Sequence, residues 1–247
     1  MSDGTKIEWA DASWNPIRGC SRASPGCEHC CAERFAARGL PGYAGLTRGG
    51  RWTGEVRLDE HTLEQPLRWR RPRRVVVCSM SDLFYERVPD EWIDRVWAMM
   101  MRAHHHVYCV LTKRAARMRT WSARLPPAAA RHVWLGVTVE DQMRARIRIP
   151  DLIATPAAVH WVSAEPLLGP LDLSSYSPGL DWIVVGGETG PRARPCREAW
   201  LRGVVWPAKV ARVACYLTQM GGYPDRRADP SGWMGYLRVR EYPGARV

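Results

Sequence analysis

Short runs of β-branched and other apolar residues, each closed by polar or turn-forming residues, recur along the chain at positions 75–79, 107–112, 133–139, 159–164, 182–187 and 213–217. Bounded runs of this length read as strands. Their starts are spaced by roughly 20 to 30 residues, the length of a strand plus a helix. This rhythm predicts βα units on a parallel sheet, and so an α/β fold. After Pro89 the period changes. Trp92, Ile93, Val96, Trp97, Met100 and Met101 fall at helical spacing behind Asp90, a residue suited to capping, so a helix packing its apolar face on the sheet is expected. A shorter helix is expected over 32–38, stopped by Gly39-Leu40-Pro41. Residues 40–59, rich in Gly and polar side chains, read as a loop or small insertion. Residues 1–222 are expected to form one domain and 223–247 a peripheral extension.

Chemistry enters at the cysteines. The segment Gly19-Cys20-Ser-Arg-Ala-Ser-Pro25-Gly26-Cys27-Glu-His29-Cys30-Cys31 closes a C-x6-C loop on a C-x2-C pair just before the first helix. Cys27 and Cys30 can then face one metal while the loop returns Cys20 to it. Thiolates select iron–sulfur clusters, zinc or Cu(I). Three ligands on a cubane leave one iron open to an exogenous ligand. A zinc site completed by His29 or Cys31, or unligated thiols, are the alternatives. Cys78, Cys109 and Cys215 lie in apolar runs and read as core, and Cys196 carries no assigned role.

In parallel α/β sheets ligands bind beyond the carboxyl ends of the strands. Asp82, Lys113, Glu140, Glu165 and Glu188 all follow expected strands directly, together with Ser81 and the Gly186-Gly187 pair. Taken singly, such residues commonly cap helices or make turns. Placed alike, they suggest a polar rim, and the bare Gly186-Gly187 backbone would allow a small molecule to approach closely.

Composition narrows the partners. In 247 residues, 36 Lys and Arg oppose 25 Asp and Glu for a net charge of +11, which favours polyanionic partners such as nucleic acid. The basic residues cluster at Arg68, Arg70, Arg71, Arg73 and Arg74, where a solvated surface is the competing explanation. With 46% hydrophobic residues the chain reads as a globular protein; no apolar run is long enough to span a bilayer, and no signal-peptide core stands at the start, so a cytoplasmic location is expected.

Several longer motifs stand beside the cysteine loop: Thr5-Lys-Ile-Glu-Trp9, Trp14-Asn15-Pro16, Val77-Cys-Ser-Met-Ser-Asp82-Leu-Phe84, Val110-Leu-Thr-Lys113-Arg114, Trp134-Leu-Gly-Val-Thr-Val-Glu140, Ser163-Ala-Glu165-Pro166-Leu-Leu-Gly169-Pro170 and Val185-Gly-Gly-Glu188-Thr-Gly190. Over residues 5 to about 222 the chain thereby resembles the phage-associated three-cysteine-motif proteins, a family of largely unassigned function that is itself similar to radical S-adenosylmethionine enzymes. The resemblance implies a partial (β/α)6 TIM-like barrel, a [4Fe–4S] cluster on Cys20, Cys27 and Cys30, S-adenosylmethionine on the open iron, and an external electron donor. Reductive cleavage would yield a 5′-deoxyadenosyl radical that abstracts a substrate hydrogen. The sequence departs from the common C-x3-C-x2-C loop in its longer first gap, in His29 where an aromatic usually stands, and in Cys31 where the family usually has Tyr.

The expectation is therefore a radical S-adenosylmethionine-like enzyme acting on a nucleic-acid or nucleotide-derived substrate. Ser81, Asp82, Glu140, Gly186, Gly187 and Glu188 would bind the cofactor, and Glu165, Glu188 and Lys113 would serve the reaction. The rival expectations are a zinc-stabilised nucleic-acid-binding protein and a phage accessory protein without catalysis.

Overall fold

The structure is a computed structural model that describes residues 5–125, 130–222 and 224–244. The chain forms two compact units, residues 1–135 with 155–158 and residues 136–154 with 159–247.

The first unit contains β1 (Ala12–Trp14), β2 (Ile17–Arg18), α1 (Cys31–Ala37), β3 (Thr47–Arg48), β4 (Arg51–Trp52), β5 (Arg57–Leu58), α2 (Glu60–Leu63), β6 (Arg74–Val77), α3 (Asp90–Arg102), β7 (Val107–Thr112), α4 (Ala115–Ser122) and the start of β8 (Val133–Thr138). Its main strands are hydrogen-bonded in the order β1-β6-β7-β8. Both β1 and β7 run parallel to β6, in registers that place Trp14 opposite Val77 and Val75 opposite Tyr108. The near-continuous Val75-Val76-Val77 run is buried throughout, as expected of a strand covered on both faces. Ile93, Val96 and Met100 form the buried stripe of α3, and the Trp97 ring meets Trp121 of α4 edge-on at 5.3 Å.

The sequence pattern missed β1. It is three residues long and is followed by the polar Asn15 and by Pro16, so it lacks the length that makes a strand visible. Residues 40–59 are more ordered than a plain loop: β3 and β4 form an antiparallel ribbon, and β5 pairs with β2. The cap of α3 is Pro89, and Asp90 instead accepts a hydrogen bond from Arg117 at 2.8 Å. The strand β6 stops at Val77 because Cys78 takes a left-handed φ of 58°, which bends the chain into the polar segment 79–82.

The second unit contains the end of β8, α5 (Gln142–Ile153), β9 (His160–Ala164), β10 (Trp182–Val185), α6 (Glu198–Val210) and β11 (Ala214–Leu217), with its strands in the order β8-β9-β10-β11. The strands β9, β10 and β11 are mutually parallel. The Trp161 and Trp182 rings pack at 5.3 Å, and a Cβ at Gly136 would stand 2.4 Å from the Trp161 ring, so glycine is required there. Beyond Gly222 the chain returns along β11. Leu217 N–H donates to Val239 O at 3.0 Å and Glu241 N–H to Cys215 O at 2.9 Å, while Trp233 and Leu237 are buried. An otherwise open strand edge is thereby covered.

The fold class is α/β, a seven-stranded sheet whose strands alternate with helices in the manner of a partial TIM-like barrel. Among the described residues, no helix is long and apolar enough to cross a membrane.

Candidate metal centre and strand-end polar groups

The cysteine loop is anchored at its first residue. Gly19 bridges to Ser81, whose hydroxyl donates to Ile17 O at 2.8 Å. Gly19 has a φ of +89°, and a Cβ there would stand 2.1 Å from Glu55 O, so only glycine carries the chain through this contact. Asn15 ties the same corner from the other side: its Oδ1 accepts from Met80 N–H at 2.8 Å and from the Ser79 hydroxyl at 3.2 Å. The loop therefore begins against the segment that follows β6, and Cys20 lies beside Asp82.

Cys20, Cys27 and Cys30 are partly buried and Cys31 is exposed. Burial pushes the Cys20 thiol up to about 12; the Asp82 carboxylate and Cys30 add to the rise, and the Arg114 guanidinium opposes it. The Cys30 thiol is raised as well, by burial first and then by Cys31 and Cys27, against the lowering effects of the Glu33 N–H and the Lys113 ammonium. Ala23 N–H points to the Cys27 sulfur at 3.5 Å. Thiols that are partly withdrawn from water and repel one another on ionisation fit a cationic, soft centre that would replace their protons, and in donor chemistry the set suits a cluster or zinc. Among the described residues, no three His, Cys, Asp or Glu side chains are grouped so as to hold a metal ion.

Two arginines hold the loop, and the sequence reading did not single out either for this part. Arg22 pairs with Glu33, a residue of α1 that is only 3% exposed and that also accepts from Trp52 N–H at 2.9 Å. Arg114 is the more central. Its Nη1 donates to Asp82 Oδ2 at 3.1 Å, while its Nη2 donates to Ser21 O at 2.9 Å and to the Ser21 hydroxyl at 3.0 Å. Asp82 is a hub in its own right, accepting from the Thr112 hydroxyl at 2.7 Å, from Lys113 N–H at 3.0 Å and from Phe84 N–H at 3.0 Å. One buried carboxylate thus joins the ends of β6 and β7 to the cysteine loop. Of the residues singled out in this unit, Cys20, Cys30, Ser81, Asp82 and Lys113 gather around that corner.

In the second unit, the groups named from the sequence also gather at one end of the strands. Leu167 N–H donates to Gly186 O and Leu168 N–H to Glu140 O, both at 2.8 Å, which staples the segment after β9 between its neighbours. Glu165, half-buried and joined to Pro166 by a cis peptide, accepts from Gln219 Nε2 at 2.6 Å. The same amide donates to Gly187 O at 3.0 Å. Glu140 is fully buried and takes Arg148 Nη1 at 3.0 Å; that guanidinium also donates to Thr138 O at 2.7 Å. Glu188 is held by Arg194 through its backbone N–H at 2.8 Å and its Nε at 2.9 Å.

The two glycines have a structural use. A Cβ at Gly186 would stand 2.2 Å from the Thr218 hydroxyl, and one at Gly187 would stand 2.4 Å from Met220 O. Their bareness admits the chain that follows β11. Arg148, Arg194 and Gln219 are the partners that sequence reasoning missed. The only signal for Arg148 was its position near the polar rim on an otherwise amphipathic stretch, because a charge at a buried helix position is seldom recognisable without its partner.

Two solved structures, both of spore photoproduct lyase variants, are similar to the chain at 11% identity, with TM-scores of 0.41 and 0.39. Each match covers 76% of this chain and 58% of the solved one, so the chain spans well under two thirds of the length of the structures it matches. No curated protein matches it. A family profile described as "Protein of unknown function (DUF5131)" matches residues 4–239, nearly the whole length, and the chain belongs to that family.

Proposed function

We propose that the protein is an iron–sulfur enzyme of the radical S-adenosylmethionine type, with a nucleic-acid or nucleotide-derived substrate. The observation that carries this reading is the corner of the first unit where Cys20, on a loop that also carries the partly buried Cys27 and Cys30, lies beside a buried Asp82–Arg114 pair. Cys20, Cys27 and Cys30 would hold a [4Fe–4S] cluster, and when bound with S-adenosylmethionine such a group supplies one-electron reductive chemistry. Arg114 fixes Ser21 and hence the path of the loop, and the Lys113 and Arg114 cations offset the negative charge that three thiolates bring. Ser81 and Asp82 shape the neighbouring wall. In the second unit Glu165, positioned by Gln219, would accept a hydrogen bond from an ammonium or hydroxyl of a ligand; Glu140, Gly186, Gly187 and Glu188 build the frame around it. Catalytic parts for Glu165, Glu188 and Lys113 belong to the same proposal, as do an external electron donor and a cytoplasmic setting.

Zinc is a second reading. Cys31 is close enough to Cys30 to raise its thiol, so a further thiol stands next to Cys30 and would be the fourth ligand. A site closed by four thiolates would be structural, and the protein would then be a nucleic-acid-binding protein without a reaction.

The test is iron and acid-labile sulfide content, with electron paramagnetic resonance spectra before and after adding S-adenosylmethionine, on protein purified without oxygen. A [4Fe–4S] signal that changes with S-adenosylmethionine is expected, and Cys27→Ala should lose iron, sulfide and S-adenosylmethionine cleavage while keeping its circular dichroism. Colourless protein with stoichiometric zinc would replace the enzyme reading with the zinc one.

A further inference from the structure

The arginine run that leads into β6 is not absorbed by the cysteine corner. It lies at the opposite end of the strands: Arg68 to Arg73 precede β6, whereas Ser81 and Asp82 follow it, and His104 to His106 precede β7, whereas Lys113 and Arg114 follow it. At about 3.3 Å per residue, the six residues of β7 separate the two ends by roughly 20 Å.

How the run is presented matters more than its charge. Two histidine bonds pin its start: the His106 Nε2–H donates to Pro66 O at 3.1 Å, and the His105 Nε2–H donates to Trp69 O at 2.8 Å. Trp69 is turned inward, 6% exposed, with its ring edge-on to His106 at 5.6 Å and the Arg73 guanidinium over it at 4.9 Å. Inverting one residue leaves its neighbours outside, so Arg68, Arg70 and Arg71 are exposed. Arg102, at the end of α3, is exposed on the stretch that leads to these histidines. No Asp or Glu occurs between Glu64 and Asp82, or between Asp94 and Glu140; the stretch before β1 brings Glu8 and Asp11 to this end, where Asp11 is engaged by Arg74 N–H at 2.6 Å. The buried His106 is held below the usual imidazole range, by burial first and then by the charges of His105 and Arg73, which places it in the same positive field.

We infer that this face is a polyanion-binding surface that holds the sugar–phosphate backbone of a nucleic acid, away from the cysteine corner. The inference deepens the nucleic-acid part of the proposed function by naming the surface that would hold such a substrate. Guanidinium groups present planar donor forks that match phosphate oxygens. A protein partner would call for a cluster of apolar or aromatic side chains within the patch, whereas Trp69, the one aromatic residue of the run, is buried and Leu67 is an isolated exposed apolar side chain among arginines. A membrane surface would call for an amphipathic helix with an apolar face, whereas 65–68 is a single 3-10 turn and 70–73 forms no helix. Because Trp69 is covered, contacts here read phosphates and not bases, so affinity should depend strongly on salt and weakly on sequence.

The experiment is fluorescence anisotropy of the full chain with a labelled single-stranded DNA of about 30 nucleotides across a salt series. Four phosphate contacts on a single strand give a slope of about −3 in log affinity against log salt. Arg70→Glu with Arg71→Glu should weaken binding at least about tenfold and flatten that slope by about 1.4. Arg202→Glu with Lys209→Glu, both exposed on α6, makes the same change in net charge and should alter affinity less than about twofold. Equal losses in the two double variants, no binding by the unaltered protein, or tighter binding to phosphatidylserine vesicles than to DNA would each overturn the inference. Iron and sulfide content measured on the unaltered protein beside its DNA binding keeps the two readings apart: a cluster without DNA binding defeats the surface alone, and DNA binding without a cluster defeats the enzyme alone.

Discussion

Replacing Asp82 with alanine should destabilise the first unit by about 3–5 kcal/mol, because it removes the buried partner of Arg114 and leaves only the exposed Glu86, 3.5 Å from its Nε, to compensate it. Asp82 is 4% exposed and Arg114 is 8% exposed, so water cannot take over the guanidinium. The same change strands three donors that now share the carboxylate, the Thr112 hydroxyl and the Lys113 and Phe84 N–H groups. A loss of this size is a large share of the roughly 5–15 kcal/mol that holds a typical domain, and it should appear as a fall in melting temperature of about 10 °C. Asp82→Asn keeps an acceptor and should lose less. The loop should respond along with the fold: once Arg114 no longer has Asp82, its hold on Ser21 weakens, and Cys20 should react faster with iodoacetamide in the metal-free protein. A melting temperature within about 2 °C of the unaltered protein would show that the pair is not the hub that its hydrogen bonds describe.

Arg148→Met should be comparably costly in the second unit. Glu140 is fully buried, and removing Arg148 deletes the cation 3.0 Å from its carboxylate and the donor that satisfies Thr138 O. Breaking the pair from one side carries the same penalty of about 3–5 kcal/mol, whereas replacing both partners with apolar residues can be nearly neutral. The double variant Glu140→Leu, Arg148→Met should therefore be more stable than Arg148→Met alone. Urea unfolding of the two single variants and the double variant supplies the cycle. Additive losses would mean that the two side chains are not energetically coupled.

Both predictions concern residues on which the sequence was only half legible. Asp82 and Glu140 were visible because they directly follow strands, where an acidic residue is informative. Their cations were not. Arg114 is adjacent to Lys113, and in sequence either could have faced the site; the structure buries Arg114 against Asp82 and Tyr85 and leaves Lys113 half-buried. Arg148 lies on α5 close to Arg144 and Arg146, and nothing in the sequence sets it apart from them until the helix is docked and Arg148 is turned inward. Gly186 and Gly187 illustrate the reverse case. A bare backbone suggested room for a ligand, and the fold fills that space with the chain that follows β11, an approach between segments some 30 residues apart. Such pairings are long-range, and a period read along the chain carries no information about them.

What the sequence determined by itself was local and periodic. The alternation of apolar runs and helical stripes specified the α/β class and all but the three-residue β1 of the main sheet, because a hydrophobic period depends on residues close together in the chain. The tertiary structure alone decided which arginine neutralises which carboxylate, which glycines admit another segment, and that Trp69 turns inward so that its arginine neighbours face solvent. Those outcomes depend on which side of an element is desolvated and on what lies across from it, and burial of a charge becomes tolerable only when the distant partner is already in place.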